Sequence, residues 1–590
     1  MRWVILTVAL IVLIAFSVKA QFQWGKSYLN AYAQSLSPGD NGSLYVAGSF
    51  NDSISLDSYK FKAAHLYSNF ICKYDAGGKV LWATQLKGDS DNGISALTSD
   101  SKGNLYVTVY FFGKLFFHGD TLDATGLEQG GFLLIKYDSE GELLWKKDVS
   151  YGDKIDFTQQ IQLDAMGNVY LLKSDLSNNL YKTRLLKFSA NGNLIWSSVI
   201  SGQTSGGDGF FMGIIMTVDN EENIHIEGDF FGPMASIGDL SYADNAKPHI
   251  IVNCNLTGNP QSIFPIGRLP DFRSGYGLTS DAFGNLYNAT IRSDDHTFLR
   301  KFDKGGNEIW SLKGTGLDGS DTYLGNSNLE LDERGDIFLA GHIYSPFTIG
   351  NTKFNKQFGI STFVLKFSNQ GDLIWAVQGQ NENYDQATLL GRDLDTGSIY
   401  MGGMANSDGA QFGEVTLEGS NSQNYLFFLR LGDADYKPLQ LNAGRDTTLC
   451  PGSSYLLKAN GFQNYLWQDN SQDSLFTANS PGVYTVAGID YLGNFHYDTV
   501  TIKPCFEATI PNVITPNGDA LNDNFVVNRD LFKELRLIIY NRWGKEVYST
   551  GDYQNNWRGD GVSSGVYFYK LIGDDKSIFR GWLQVIKEDF

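Results

Sequence analysis

The sequence predicts an all-β fold: a seven-bladed β-propeller followed by a small Ig/PKD-like β-sandwich and a C-terminal β-sandwich. Composition is the first observation behind this prediction. The 590 residues include 65 glycines, and aromatic residues make up 14% of the chain. Aromatic side chains favour pleated strands, and glycine supplies the positive φ angles of tight turns. The second observation is an internal repeat built from two alternating phrases.

The first phrase is a turn followed by a strand that carries tryptophan. Lys73–Trp82 reads Lys-Tyr-Asp-Ala-Gly-Gly-Lys-Val-Leu-Trp, with Trp seven residues after Asp. In a degenerate copy after His249, Asn255 opens the turn and Phe264 stands near the missing Trp. The other copies are Lys136–Trp145, Lys187–Trp196, Lys301–Trp310 and Lys366–Trp375.

The second phrase, Gly-Asn-Leu-Tyr-Val at Gly103–Val107, is also a turn that leads into alternating apolar and polar residues. Such alternation is typical of strands. Relatives of the phrase lie around Tyr45, Tyr170, His225, Tyr287, Phe338 and Tyr400. A unit with at least four strands, used seven times over residues 21–436, predicts a seven-bladed propeller.

The two ends of the repeat region complement each other. Phe22 and Trp24 form a tryptophan strand without a repeat before it, and the strands around Tyr400 and Phe427 lack one after them. We expect the first strand to complete the last blade, which removes exposed sheet edges. An open β-solenoid is the alternative. The repeat resembles the SBBP type of bacterial β-propeller repeat and, more weakly, the tryptophan-docking repeats of quinoprotein dehydrogenases. This resemblance implies a fold but says little about a ligand.

Residues 437–505 contain short alternating strands separated by turns, which favours an Ig-like or PKD-like module that acts as a spacer. Trp467 is expected to pack across its core. Cys450 and Cys505 bracket the module and predict a disulfide in an oxidising compartment. Cys72 and Cys254 fall at equivalent places in distant repeats, so we expect them to be buried and free.

Residues 506–590 carry the most specific motifs. The segment includes Ile510-Pro-Asn-Val-Ile-Thr-Pro-Asn-Gly-Asp, Tyr540-Asn-Arg-Trp-Gly and Ser564-Gly-Val-Tyr-Phe-Tyr. It is similar to the gliding-motility-associated C-terminal domain, a type IX secretion sorting domain of class B. The matching positions are Thr515, Pro516, Asn517, Gly518, Asp519, Asn522, Asp523, Tyr540, Asn541, Arg542, Trp543, Gly544, Trp557, Gly559, Gly565, Tyr567 and Gly581.

The resemblance implies that the type IX secretion machinery of a Gram-negative bacterium recognises this domain and delivers the protein to the outer surface or the medium. The word gliding in the family's description does not by itself imply a part in movement. One position departs from the family: Ala520 stands where the family usually has glycine. A turn under strain is the expected consequence.

The first twenty residues have the pattern of a signal peptide. Arg2 gives a positive start, Val4–Phe16 is an uncharged apolar run, and Val18 and Ala20 are small residues before a mature start near Gln21. The run is shorter than the roughly 20 residues that span a bilayer. We therefore expect no transmembrane segment after cleavage.

A formal net charge of −19 argues against nucleic acid as a partner, because like charges repel. The histidines stand singly without metal-ligand spacing, which argues against zinc. Asp395-Thr-Gly397 is interpreted as a repeat turn rather than a protease motif. Arg558-Gly-Asp560 overlaps the sorting motif and is not interpreted as an adhesion sequence. The histidines are His65, His118, His225, His249, His296, His342 and His496.

Asn517, Asp519, Asn522 and Asp523 form a dense group of oxygen ligands. Such a group suits Ca²⁺, and it equally suits consecutive turns in which Asn and Asp bind their own backbone. The turn interpretation is favoured, and calcium is kept as the weaker alternative. No other cofactor and no catalytic residue is predicted.

Two functions follow from this pattern, with a third ranked below them. The first is a non-enzymatic surface protein whose propeller binds a glycan or a surface protein, because the repeat scaffold is joined to a spacer and a sorting domain and the sequence offers no catalytic set. The alternative is an extracellular polysaccharide-degrading enzyme with carboxylates gathered in the propeller funnel. A quinone-dependent dehydrogenase ranks last, because no cofactor pocket is recognisable. The repeat tryptophans stand at a fixed place after each turn, which indicates packing between blades.

Overall fold

The computed structural model describes most of the chain after the predicted signal peptide. The described ranges are 20–127, 130–150, 156–177, 180–200, 202–203, 210–231, 235–237, 240–242, 249–267, 277–290, 297–315, 322–323, 329–343, 346–354, 361–379, 386–406, 409–420, 423–434, 436–450, 452–504, 510–528, 533–574 and 578–587. Within these ranges all regular structure is β-strand apart from one 3-10 turn, Asp40–Gly42. The predicted all-β class is therefore confirmed.

The chain divides into two compact units. The first runs to Leu441 and includes two short returns of the chain, 461–464 and 487–496; the second holds the remaining residues. The first unit's strands, in chain order, are β1 Ala20–Leu29, β2 Ala31–Pro38, β3 Leu44–Phe50, β4 Ser53–Leu56, β5 Tyr59–Lys62, β6 Ser68–Tyr74, β7 Val80–Gly88, β8 Asn92–Ser99, β9 Leu105–Phe111, β10 Lys114–Phe117, β11 Asp120–Asp123, β12 Gly131–Tyr137, β13 Leu143–Asp148, β14 Asp156–Leu163, β15 Val169–Ser177, β16 Leu180–Phe188, β17 Leu194–Ile200, β18 Gly202–Gln203, β19 Phe210–Val218, β20 Ile224–Phe231, β21 Ala235–Ile237, β22 Leu240–Tyr242, β23 His249–Cys254, β24 Pro260–Gly267, β25 Gly277–Ser280, β26 Leu286–Ala289, β27 Thr297–Phe302, β28 Glu308–Thr315, β29 Thr322–Tyr323, β30 Leu329–Leu331, β31 Ile337–Ile343, β32 Phe347–Ile349, β33 Thr352–Phe354, β34 Ser361–Phe367, β35 Leu373–Gln378, β36 Gln386–Arg392, β37 Ile399–Ala405, β38 Gly409–Phe412, β39 Val415–Glu418 and β40 Tyr425–Asp433.

One four-stranded antiparallel pattern recurs through this unit. Some of these sheets carry an extra hairpin between their second and third strands. Two of these hairpins pair with the outer strand of the preceding sheet: β10 pairs with β7, and β32 pairs with β28. The repeated strand orders are β2-β3-β6-β7, β8-β9-β12-β13, β14-β15-β16-β17, β19-β20-β23-β24, β25-β26-β27-β28, β30-β31-β34-β35 and β36-β37-β40-β1.

The last of these sheets joins the two ends of the repeat region. Strand β1 pairs antiparallel with β40, and Trp24 stands opposite Arg430. The expectation that the first tryptophan strand completes the last repeat is confirmed.

The middle strands of the sheets are buried on both faces. Every residue of β6 and of β12 is buried, as expected where each sheet packs against a neighbour on either side. The buried residues of β6 include Ser68, Asn69 and Lys73, so burial on both faces does not make these strands wholly apolar.

The remaining strands form two groups. Residues 447–504 contribute β41 Thr447–Leu449, β42 Tyr455–Lys458, β43 Asn464–Trp467, β44 Leu475–Ala478, β45 Gly482–Ile489 and β46 Phe495–Pro504, in sheets β41-β46-β45-β43 and β42-β44. Trp467 is buried, and its ring lies 4.9 Å from that of Phe476 on the other sheet. The predicted packing of Trp467 across the core is confirmed.

The C-terminal module forms a single five-stranded sheet in the described residues, where the sequence predicts a sandwich. Its order is β47-β51-β50-β48-β49. Aromatic residues from the connecting segments, including Phe525, Tyr553 and Trp557, cover one face of the sheet and take the place of a second layer. The strands are β47 Val513–Ile514, β48 Leu535–Tyr540, β49 Glu546–Thr550, β50 Gly565–Gly573 and β51 Ile578–Val585.

Candidate functional site

The tryptophan of the first phrase links one sheet to the next. Trp24 Nε1 donates to the carbonyl of Ala76 at 2.9 Å, and Trp82 Nε1 donates to that of Ser139 at 3.0 Å. The ring of Trp24 lies against Gly78, whose φ of +81° and lack of a Cβ make room for it. These rings therefore pack between neighbouring repeats, as predicted.

The charged residues of the repeats are also engaged within the fold. Asp100 accepts the backbone N–H of Lys102 and of Asn104 at 3.0 and 2.9 Å, which closes the turn. Lys136, from the third strand of the same sheet, lies 3.8 Å from Asp100 and 4.6 Å from the ring centroid of Tyr106. Equivalent lysine–aromatic contacts recur at Lys73, Lys187, Lys301 and Lys366. These cations stabilise the repeat by ion pairing and cation–π attraction.

The Asp395-Thr-Gly397 sequence lies in one of these turns. Asp393 accepts the N–H of Asp395 at 3.0 Å, and the N–H of Gly397 donates to the Asp393 carbonyl at 2.9 Å. This turn is one residue longer than the turn at Asp100, where the N–H of Gly103 donates to the Asp100 carbonyl, but it lies at the equivalent place before β37, so the predicted turn is confirmed.

A buried polar network in the sheet that contains β20 and β23 was not predicted. His249 Nε2 lies 2.6 Å from Glu227 and its Nδ1 lies 2.9 Å from Asp229. Thr290, from the next sheet, donates to the same Glu227 oxygen at 2.7 Å. Burial opposes protonation of His249, but hydrogen bonds to the two carboxylates outweigh it and raise the pKa of the imidazole. Because Glu227 and His249 are fully buried, the network stabilises the contact between sheets.

The return of the chain at 487–496 also belongs to the first unit, and the sequence interpretation of residues 437–505 as a spacer missed it. The Tyr491 hydroxyl accepts a hydrogen bond from Asn369 at 2.5 Å, and the Tyr491 carbonyl accepts one from Ala282 at 2.8 Å. The ring lies against Gly335 and 5.2 Å from that of Phe283. A signal was available: Asp490-Tyr-Leu-Gly-Asn copies the Asp-x-x-Gly-Asn turn of the repeats.

The first sorting motif forms a chain of turns. The N–H of Thr515 donates to the Asn522 carbonyl at 2.8 Å, which closes the loop, and Pro516 lies half-buried inside it. Asn517 accepts the N–H of Asp519 at 3.1 Å, and Asp519 accepts that of Leu521 at 2.7 Å. These residues satisfy their own backbone, in agreement with the favoured turn interpretation.

The contacts of the Asp523 carboxylate bear on whether this loop could bind a cation. One carboxylate oxygen accepts the N–H of Gly518 at 2.7 Å, the other accepts that of Ala520 at 3.1 Å, and Arg558 lies 3.3 Å away. The amides of Gly518 and Ala520 lower the pKa of Asp523. Both oxygens already face donors, which favours the turn interpretation over a Ca²⁺ site. We expect titration with calcium to give no heat in calorimetry and no shift in thermal unfolding; a saturable heat would contradict this.

Ala520 has a φ of +68°, the left-handed region that glycine prefers, which explains the strain expected at this departure from the family. A non-glycine residue there costs about 1–2 kcal/mol, partly offset by the extra freedom of an unfolded glycine. We expect Ala520→Gly to stabilise the C-terminal module by up to about 1 kcal/mol, measured by denaturant unfolding of the whole chain. Ala520→Val should do the opposite, because branched side chains tolerate positive φ poorly. Equal midpoints for the two variants would contradict the expectation.

The remaining sorting motifs divide into buried and exposed residues. Trp557 and Tyr567 lie in the core, and Gly559 (φ +72°) occupies a turn. Gly581 faces the Tyr569 ring so closely that a Cβ would collide with it. Gly565 opens β50. These five residues are explained by the fold.

The Tyr540–Gly544 motif forms the turn between β48 and β49. Asn541 accepts the N–H of Trp543 and of Lys545, both at 3.0 Å, and Gly544 takes a φ of +78°. Trp543 is 75% exposed, and the Arg542 guanidinium lies 4.1 Å from its ring centroid. The exposed pair stabilises nothing in the core and is free to contact a partner.

Other predicted residues have simpler outcomes. Cys72 and Cys254 are buried and free, as expected. Cys505, His296 and the predicted signal peptide up to Lys19 lie outside the described residues, so the disulfide with Cys450 and the cleavage stay predictions. Within the described part of the chain no helix is long and apolar enough to cross a membrane. In those same ranges no group of three or more His, Cys, Asp or Glu side chains has the spacing of a metal site.

Comparison with known proteins gives one sequence match for most of the chain. It is 20% identical over 495 residues to an uncharacterised WD repeat-containing protein, L264, of Acanthamoeba polyphaga mimivirus. The match includes 72% of this chain, and the chain spans only about a third of that protein (33%).

Similar solved structures include β-propellers. The propeller domain of the Trilobed protease from Pyrococcus furiosus is 10% identical, with a TM-score of 0.36 over 68% of this chain and 93% of that one. The polysaccharide lyase Uly1 is 10% identical, with a TM-score of 0.38 over 68% and 90%. The WD40 domain of SCAP from fission yeast is 10% identical, with a TM-score of 0.32 over 82% and 98%.

The C-terminal module gives the match that bears on function. Residues 508–585 match the family model of the CHU_C type IX secretion signal domain. These residues contain the turns, the buried Trp557 and the exposed Trp543 described above. The chain therefore carries a type IX secretion signal domain at its C-terminal end and is a secreted or cell-surface protein.

Proposed function

We propose that this protein is a type IX secretion cargo in which residues 506–590 direct export and a seven-bladed propeller over residues 21–436 serves as a non-enzymatic binding scaffold at the cell surface. The match of residues 508–585 to a secretion signal domain carries the first half of the proposal. Passage through the secretion machinery follows from it, and a glycan or a surface protein is the proposed ligand of the propeller.

Seven blades are supported by the contacts of the innermost strands. Strands β2, β8, β14, β19, β25, β30 and β36 each contact the next in this order, and β36 contacts β2. The pairing of β1 with β40 completes the seventh sheet. Such a closed order leaves no open end between the first and the last repeat.

The binding role is supported by the structural use of the repeated tryptophans, aspartates and lysines. The repeated tryptophans contact the next sheet, and the repeated aspartates and lysines close turns. Polar residues outside these repeated positions are left to determine the ligand. A glycan array probed with the full mature chain tests this role, and saturable binding of a glycan is the supporting result. Absence of glycan binding together with polysaccharide cleavage would overturn it in favour of the enzyme.

Export is tested by deleting residues 506–590 in the bacterium that makes the protein. We expect the truncated chain to fold and accumulate in the periplasm, whereas the full chain reaches the surface or the medium. Protease resistance of the retained protein checks folding, and restoring residues 506–590 is the control. Normal delivery of a folded truncation would show that the export signal lies elsewhere.

A further inference from the structure

Strand β50 of the C-terminal module has apolar side chains on both faces. It runs Gly-Val-Tyr-Phe-Tyr-Lys-Leu-Ile-Gly from Gly565 to Gly573. Tyr567 and Leu571 are buried in the module's core, whereas Val566 and Phe568, which alternate with them, are each 46% exposed. A strand with one solvated face alternates apolar and polar residues. Strand β50 departs from this alternation, which indicates that the second face of the sheet is also a contact surface.

The pairing register gathers the exposed residues into a patch. Phe568 stands opposite Tyr540 on β48 and opposite Trp582 on β51, so three aromatic residues cross the sheet in one row. Trp582 is 47% exposed, and Ile578 on the same face is also exposed. We call Tyr540, Val566, Phe568, Ile578 and Trp582 the aromatic face.

Cations lie beside this row. Lys570 stands opposite Arg580, and Arg536 stands opposite Ile572. Lys570 and Arg580 put like charges directly across two strands, an arrangement that destabilises a sheet. None of these three cations forms an ion pair in the described residues. One carboxylate on this side, Glu546, stands opposite Tyr540 on the edge strand and accepts a hydrogen bond from Ser549.

We propose that the aromatic face is the surface by which the secretion machinery binds this domain, and that its partner is a protein surface with carboxylates around an apolar centre. This inference rests on the proposed export function. Two features favour a protein: exposed aromatic rings form the centre of protein interfaces, and the flanking basic residues suit an acidic rim. Partner carboxylates would relieve the repulsion between Lys570 and Arg580, so the unfavourable pair gains a role on binding.

Charge reversal separates binding from folding. Lys570→Glu creates an opposite-charge pair with Arg580, so we expect the domain to be at least as stable as before. Delivery of the full chain to the surface or medium should nevertheless fall at least tenfold. Lys533→Glu is the matched control, because Lys533 is exposed in the same module outside its strands, and its delivery should be unchanged.

Removal of the rings gives a second measurement. We expect Phe568→Ala combined with Trp582→Ala to lower delivery at least tenfold. Both rings are about half-buried, so the thermal midpoint of the purified chain falls as well, and a cooperative transition above the growth temperature shows that the variant still folds. The control combines Leu521→Ala and Val526→Ala, which removes exposed apolar groups elsewhere in the module. If the control variant is retained in the cell and the variant of the aromatic face is delivered normally, the proposal is overturned. The docking surface would then lie around Leu521 and Val526.

Two further outcomes are decisive. If the chain without residues 506–590 is retained but Lys570→Glu and the ring variant are delivered normally, export by this domain stands and the aromatic face is wrong. If purified full chain binds isolated anionic envelope polysaccharide and Lys570→Glu abolishes that binding without changing delivery, the surface recognises a polymer after export, which also overturns the proposal.

Discussion

Replacement of Trp557 by alanine is expected to destabilise the C-terminal module by about 3–5 kcal/mol, the usual cost of removing a buried tryptophan. Trp557 is 1% exposed. Its ring lies 5.9 Å from that of Tyr548 and 6.5 Å from that of Tyr567, and its backbone carbonyl accepts the N–H of Phe525 at 2.9 Å. Denaturant unfolding of the full chain, with a probe in the module, measures the loss.

A second tryptophan of the same module, Trp543, provides the control. Trp543→Ala removes a ring of the same size that is 75% exposed, and surface substitutions usually change stability by less than about 0.5 kcal/mol. Trp557→Phe should cost less than Trp557→Ala, because it keeps an aromatic ring in the core and, among the described residues, Nε1 of Trp557 has no hydrogen-bond partner to lose. Equal destabilisation by the two alanine variants would contradict the assignment of Trp557 to the core and Trp543 to the surface. We further expect Trp557→Ala to lower surface delivery, since the module would be partly unfolded.

The second large effect concerns His249. His249→Gln leaves Glu227 and Asp229 without their imidazolium, and breaking a buried ion pair costs about 3–5 kcal/mol. Because the folded pKa of His249 is raised, its stabilisation is complete below the unfolded pKa, about 6.5, and is lost as pH rises through the folded pKa. We therefore expect the difference between wild type and variant to be largest at pH 6 and to shrink in alkaline solution.

Denaturant titrations between about pH 5 and 9 measure this difference. His65→Gln is the control, because His65 is exposed. The double variant His249→Gln with Glu227→Gln should recover part of the loss, since the amide needs no counter-ion. A pH-independent loss that the second substitution does not reduce would show that shape and not charge explains the role of His249.

Much of the fold could be predicted because the repeats are built from local rules. The turn before Trp82 needs Asp75 to accept two backbone amides and glycine to take a positive φ, and both residues are visible in the sequence. The same holds for the turn at Asp100. The orphan strand at Trp24 could be assigned because the last repeat lacks its equivalent. Local chemistry repeated along the chain identifies both the strands and their order.

The rest depends on contacts between distant segments that leave no periodic pattern. Glu227 and His249 are single polar residues within apolar strands, and only strand pairing brings them together. Tyr491 lies far along the chain from its partner Asn369. The aromatic face is visible only after the register places Phe568 opposite Tyr540 and Trp582. Residues 506–590 could be recognised because their motifs resemble those of a family. The difference between Trp557 in the core and Trp543 on the surface became visible only in the structure.

The pairing of β1 with β40 sets an order of events during biogenesis. Strand β1, Ala20–Leu29, is synthesised first, but its partner, Tyr425–Asp433, is synthesised only after all the other repeats. Until then the edge of β1 has no mate, and an unpaired edge invites association with other chains. Contacts between such distant segments also form slowly. A chain whose synthesis stops before its last repeat therefore keeps β1 as an unpaired edge that is open to association with other chains.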